Sequence, residues 1–548
     1  MKKILATLLA VLVVVSIVGC GPTVTPSVAE YVVPDMSTDV KLNLTWMMAS
    51  QSMLSAAETP AMKYVAEKFN VSLNMTELTP ADHDVQLELN ISGNKIKNIV
   101  SRIDINLANE YGSYGAFLDL APYIENGHLP NIKAMIDKAL EENSNNASLL
   151  YDDEGHIFRI PSYNENPMPI YNFSYNQEAF AAVGYPNPQT WDDVYNALVA
   201  IKGGKENVYP FQMRTLGTDQ LGTQITNFII SFTGGYANGQ EFIGYDPKTD
   251  QFVFAMETEG YKEAIKFFNK MYNAGLIDPA YSTASITTIH EAMRDGTCVM
   301  TCDYMGGFTG VTGYEEYTSA FVPMSLPQAE GQQQTHGFSI AQFDAYAGTA
   351  ISAEVAKNPV LLGRILQVLD YMYSEEFINL QWYNPDVCEG SFEAGVTDPT
   401  KYTYQLNADG LPIYKDNVYA VTSLADMQNM YFCWSLYSAF YNLNDPICDA
   451  SKAPYNRYYE FRDKLITETD KYVDVPLPIF TPGESKKINA CESNMFTVFN
   501  MRMVTLLTGK FASDAEFDAQ WKQTVNAVKD QGADTLVDIY NDAYQRMK

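Results

Sequence analysis

Residues 41–48, KLNLTWMM, set Leu42, Leu44 and Trp46 in alternation with their neighbours, the two-residue period of a strand with one buried face. Helical spacing follows over about 60–69, a second apolar strand over 71–75 and a second helix over 82–91. Strand and helix in alternation predict an open α/β sheet for this part of the chain. Residues 151–161, YDDEGHIFRIP, read as a hairpin turning at Gly155. Another strand begins at Tyr171, and a helix around 178–183 breaks at Gly184 before a proline-marked turn. Thr190 and Asp193 have capping-box spacing, and Trp191, Val194, Tyr195 and Leu198 then return to one helical face. Tyr261, Ala264, Ile265, Phe268, Met271 and Tyr272 form one apolar stripe, closed by Gly275. Residues 289–300 predict a helix, a turn at Gly296 and an apolar strand, and residues 358–374 a strongly periodic helix.

A chain of 548 residues exceeds one ordinary core, so two lobes are expected. Acidic residues outnumber basic ones 66 to 36, a formal net charge of -30. Phosphate backbones need clustered Lys and Arg, so nucleic acid is excluded as a partner. The five histidines, His83, His128, His156, His290 and His336, are scattered, and no HExxH, GxSxG or P-loop occurs. Ser92 to Lys95 satisfies SxxK without its SDN and KTG companions. Catalysis is therefore not expected, and neither a cofactor nor a metal is implied. Cys298 and Cys302 lie four residues apart along an apparent strand, about 13 Å, too far to pair. Free buried cysteines are expected there.

At the N-terminus Lys2 and Lys3 precede an apolar run over 4–15, followed by Ile17, Val18, Gly19 and Cys20. This resembles a lipoprotein signal peptide with its lipobox, over residues 1–20. The resemblance implies cleavage before Cys20 and a diacylglyceryl group on its thiol. Residues 21–37 read as a flexible tether.

The stretch 171–194, YNFSYNQEAFAAVGYPNPQTWDDV, resembles the opening of the second lobe in extracellular solute-binding proteins of ABC importers. Residues 115–124 (GAFLDLAPYI) and 261–279 (YKEAIKFFNKMYNAGLIDP) are similar to segments of the same family, and residues 478–484, 506–511 and 521–546 to the ending of its long LipO-type lipoproteins. Residues 92–98, SGNKIKN, depart from the family's acidic-proline signature. The resemblance implies a two-lobed periplasmic-binding-protein fold of type II-like α/β architecture, with the ligand cleft between lobes. Lobe 1 is then expected over 38–165 and 330–385, and lobe 2 over 166–329 and 386–548.

The family reading implies capture of a carbohydrate, most naturally an oligosaccharide, for delivery to ABC permease subunits from the outer face of a bacterial cell membrane. A monomer is expected. Candidate ligand-binding residues are Trp46, the hinge residues Tyr163 and Asn164, Arg214 and Asp219 in QMRTLGTDQ, Asp303 and Tyr304 at a strand end, and the aromatics Trp382 and Trp434. Each also reads as an ordinary core or loop residue. A peptide or other solute, with Arg214 as a charged anchor, is the alternative, and a surface glycoside hydrolase needs two cleft carboxylates about 5–10 Å apart.

Overall fold

The computed structural model describes residues 28–49, 55–58, 60–163, 171–214, 228–229, 231–233, 242–304, 320–329, 342–374, 376–377, 404–406, 412–414 and 475–548. In chain order its first eleven strands are β1 (Leu42–Ala49), β2 (Val71–Leu78), β3 (Ile99–Ser101), β4 (Ile160–Tyr163), β5 (Tyr171–Asn176), β6 (Phe211–Met213), β7 (Ile243–Asp246), β8 (Gln251–Phe254), β9 (Met300–Tyr304), β10 (Phe321–Pro323) and β11 (Phe343–Ile351). Two sheets carry the architecture, one in the order β2-β1-β3-β11-β4 and the other β10-β5-β9-β6. The first belongs to one lobe and the second to the other.

In the first sheet β1 runs parallel to β2 and β3, while β11 is antiparallel to β3 and β4. Helices Pro60–Lys68 and Pro80–Ser92 make the crossovers, as alternating apolar period requires. Leu44, Trp46, Ile99, Ile160 and Leu362 share its main core. In the second sheet β6 is parallel to β9, and β5 is antiparallel to both β9 and β10. Phe173, Trp191, Phe211, Phe268 and Met300 join its core, onto which the C-terminal helices Pro482–Thr508, Asp514–Lys529 and Ala533–Met547 add Phe499, Leu506, Trp521 and Leu536.

The C-terminal unit also holds the first lobe. Asn145 Nδ2 donates to the Val475 carbonyl at 3.1 Å, and its Oδ1 accepts from the Leu477 amide at 3.3 Å. Ser148 Oγ donates to the Leu477 carbonyl as well.

Thr190 and Asp193 make both halves of a capping box, and Thr481 and Glu484 repeat it at the long helix. Two sequence expectations are revised. The second strand extends to Leu78, and residues 151–159 form no hairpin ladder. Gly155 is a turn residue with φ 88°, but Asp152 Oδ1 takes the amides of Glu154 and His156, so a side chain replaces the missing strand.

Candidate functional site

The chain leaves the first sheet after Tyr163 and enters the second at Tyr171; it leaves β10 at Pro323 and re-enters the first sheet at Phe343. Register places Tyr171 opposite Tyr304 and Phe343 opposite Tyr163. The C-terminal ends of β3, β4, β6 and β9 therefore lie at the ends of the sheets where these crossings are made. Open α/β sheets expose ligand sites at such strand ends.

In the second sheet the alternation is sharp. Phe173, Tyr175, Phe211, Met213, Met300 and Cys302 turn into the lobe core, while Ser174, Gln212, Thr301 and Asp303 form a buried polar face. Ser174 sits opposite Thr301 in register, and the hydroxyls of both are buried with no hydrogen-bond partner among the described residues. One step toward the crossing end, Arg214 follows β6 and Asp303 occupies β9. Arg214 Nε donates to Asp303 Oδ2 at 2.5 Å and Nη2 to Oδ1 at 2.9 Å. The Asp303 side chain is wholly enclosed and that of Arg214 is 21% exposed. Burying a carboxylate alone costs several kcal/mol, roughly; the two-pronged guanidinium contact offsets that desolvation and fixes the Arg214 rotamer.

The first lobe also ends in paired charges. Arg102, the residue after β3, takes a left-handed φ of 60° and donates from Nη1 to Asp84 Oδ1 at 2.6 Å. His83 is buried beside them, with Nδ1 3.2 Å from the same oxygen. Burial lowers the His83 pKa against the opposing pull of Asp84, favouring a neutral ring. Asp104 caps helix Ile105–Ser113 by accepting from the amides of Asn106 and Leu107. Burial raises its pKa, with those amides and Arg159 opposing. Arg159 is fully enclosed and donates to the carbonyls of Ala347 and Asp344 at 2.7 Å each, and to Leu149 at 3.2 Å and Ile103 at 3.4 Å. It ties the residues after β3 to the start of β11.

Of the residues expected from sequence, Arg214, Asp303 and Tyr304 come together at one strand end. Trp46 and Tyr163 do not face open space. Trp46 is 0% exposed, with Nε1 bonded to Ser101 Oγ at 2.9 Å, and Tyr163 is 1% exposed with its ring edge-on to Phe343. The alternation that buries Leu44 buries Trp46 with it. Asn164, Asp219, Trp382, Trp434 and Cys20 lie outside the described residues. Arg102, Asp84 and Arg159 carry no motif that marks them in the sequence; the one available signal is that Arg102 stands two residues after the apolar pair Ile99 and Val100, with Ser101 between.

A separate groove of about 1300 Å³ on the second lobe is lined by Trp191, Phe232, Phe267, Lys270, Asn273 and Phe511 among others. Two of its polar groups are engaged structurally: Asn269 Nδ2 bonds the carbonyls of Leu506, Leu507 and Gly509, and Lys266 pairs with Asp514 at 2.8 Å.

The fructooligosaccharide ABC transporter substrate-binding protein FusA of Streptococcus pneumoniae is 23% identical over 281 residues, which are 47% of this chain and 50% of that protein. The sequence match thus spans half the length of that curated relative. Its structure with kestose superposes with a TM-score of 0.69 at 16% identity, covering 92% of this chain and 100% of the other. A solute-binding protein of Bifidobacterium longum infantis described as HMO-binding gives a TM-score of 0.69 at 17% identity over 92% of this chain and 99% of its own. The alginate-binding protein AlgQ2 gives 0.65 at 16% identity over 93% and 99%. These likenesses show the two-lobed α/β fold. The model of the bacterial extracellular solute-binding protein family matches residues 104–377, half of the chain and parts of both lobes, and the chain belongs to that family.

Proposed function

We propose that this protein is the lipid-anchored substrate-binding component of an ABC importer, capturing an oligosaccharide between its lobes and delivering it to permease subunits. The observation that carries the reading is the Arg214–Asp303 pair at the crossing end of the second sheet, in a chain that shares its fold with carbohydrate-binding proteins. A guanidinium locked by a buried carboxylate presents its remaining N–H groups in a fixed direction, suited to the hydroxyls of a sugar.

Closure follows from differential affinity. A ligand touching both lobes stabilises the closed state over the open one by the contacts it makes only there. In this reading Arg214, Asp303 and Tyr304 serve the second lobe, with Asn164, Asp219, Trp382 and Trp434 as further contacts, and residues 38–165 with 330–385 form the first lobe. The thiol of Cys20 carries the lipid, two acyl chains being sufficient for stable anchoring. The protein acts as a monomer and binds without converting its ligand. FusA is named for fructooligosaccharides, the Bifidobacterium protein for HMO and AlgQ2 for alginate, so the fold leaves the charge of the ligand open.

Thermal unfolding of the purified chain in mild detergent, against mono- and oligosaccharides and short peptides, tests this. Ligand at 100 times its Kd adds about 2.7 kcal/mol, a visible shift in midpoint. An oligosaccharide that shifts the midpoint and is recovered unchanged supports the proposal. A shift with peptides alone, or consumption of the sugar, overturns it.

A further inference from the structure

The ends of both sheets hold cationic side chains that carboxylates have already taken. Arg214 gives two donors on one edge to Asp303, whose carboxylate is wholly enclosed. Arg102 gives Nη1 to Asp84. Arg159, inside the lobe, acts electrostatically on Asp104 and Asp344, and its donors go to backbone carbonyls. Among the described residues, the guanidinium groups at the two sheet ends, Arg214 and Arg102, are thus each paired with a carboxylate, on a chain of formal net charge -30.

We infer that this cleft selects uncharged sugar rings over uronate-bearing or sialylated ones, and that Asp303 is the residue that sets the selection; the inference rests on the oligosaccharide reading above. An unpaired guanidinium captures a carboxylate in its own right. A guanidinium with a buried carboxylate at 2.5–2.9 Å presents a dipole whose field falls off steeply. A ligand carboxylate reaching the outer edge of Arg214 meets the cation and, directly behind it, the Asp303 anion. A ligand hydroxyl gains a charge-assisted hydrogen bond there without feeling that opposition. The pair is also a fixed pair, because displacing Asp303 in favour of an anionic ligand leaves a buried carboxylate uncompensated. On the first lobe the Arg102 guanidinium is likewise spent on a carboxylate, that of Asp84. The discrimination is built by an unfavourable element against the wrong ligand as much as by contacts to the right one.

The test is calorimetric titration of the full chain in detergent with kestose and lacto-N-tetraose as neutral probes and trigalacturonate and sialyllactose as anionic ones, at about 50 and 300 mM salt. A neutral probe is expected to bind at least about tenfold tighter than either anionic one, with a Kd that changes less than about twofold between the two salts. Asp303→Asn keeps the shape of the side chain and removes its charge, and the ratio of neutral to anionic affinity is expected to fall by about tenfold or more. A merely structural role for Asp303 lowers both affinities together and leaves the ratio alone, which overturns the inference. Tighter binding of an anionic probe by the wild-type protein also overturns it while leaving the importer reading intact, and decides the matter even where the variant does not fold. Binding of none of the oligosaccharides removes the oligosaccharide reading and this inference with it.

Discussion

Arg159 lies inside the first lobe and donates from Nη2 to the carbonyl of Asp344 at 2.7 Å, joining residues 185 positions apart. The same guanidinium holds the carbonyls of Ala347, Leu149 and Ile103, so one side chain binds three separate stretches that meet near the strand ends. Burial pulls its pKa down to about 10, which leaves it charged at neutral pH. Arg159→Met fills much of the same volume but leaves those carbonyls without their donor. It is expected to lower unfolding free energy by about 3 kcal/mol, read as a lower urea midpoint with unchanged slope. A loss below about 0.5 kcal/mol would show that water replaces the guanidinium at little cost.

Trp46 makes the companion case for a residue that only holds the frame. Its Nε1 bonds Ser101 Oγ, which contacts Thr349 Oγ1 at 2.9 Å, linking the neighbouring strands β1, β3 and β11. Trp46→Phe removes that donor and leaves a small void. Stability should drop by about 2 kcal/mol, while the Kd for a bound sugar stays within about twofold. A selective loss of affinity at unchanged stability would put the ring in the cleft instead.

These two residues mark what could be read along the chain. The stripe of Tyr261, Ala264, Ile265, Phe268 and Met271 is buried as its period demands, because a helix meeting one core encodes its contacts locally. The alternation around Trp46 likewise identified its face, yet period alone does not say whether a face looks onto a core or onto a ligand. Arg214 and Asp303 were each legible as strand-end residues, but their pairing depends on β6 lying beside β9 with Met213 opposite Cys302. No local pattern records the pairing of residues 89 positions apart, and the four carbonyls around Arg159 are invisible for the same reason.

His156 gives a pH prediction whose sign can be worked out. Burial pulls its pKa down, but the hydrogen bond to Asp152 and the charges of Asp152, Asp119 and Glu154 outweigh this and leave it raised. A folded pKa above the unfolded value of about 6.5 means that the folded state holds the proton more tightly. The stabilisation is complete below about pH 6.5 and disappears as pH rises through the folded pKa. Wild type should therefore exceed His156→Gln in unfolding free energy by more at pH 5.5 than at pH 8, read by urea titrations at the two values. His83, with its lowered pKa, works in the opposite sense, and it cancels in this comparison because both proteins carry it. A difference that is the same at both pH values would show that the Asp152 contact does not depend on the imidazole charge.

Gly363 supplies a prediction in which helix propensity and packing have opposite signs. It lies within helix Pro359–Tyr371, where Ala ordinarily stabilises relative to Gly by about 1 kcal/mol. Here the N-terminal segment crosses the helix at that point: the Asp35 amide donates to the Pro359 carbonyl at 2.9 Å, and a Cβ on residue 363 would run into the Asp35 carbonyl. Arg364, next in sequence, holds the same segment through the carbonyls of Ser37 at 2.8 Å and Val40 at 3.2 Å, and reaches the end of the first crossover helix through Asn70 at 3.1 Å. The clash is with backbone, which cannot rotate away as a side chain does, so Gly363→Ala has to displace the segment and lengthen these bonds. Overpacking of this kind costs about 1–3 kcal/mol and exceeds the gain in propensity. The variant should be less stable than wild type, and amide hydrogen exchange of residues 35–41 should accelerate more than that of β1. Net stabilisation by about 1 kcal/mol with unchanged exchange over those residues would mean that the segment does not rest on the helix in solution.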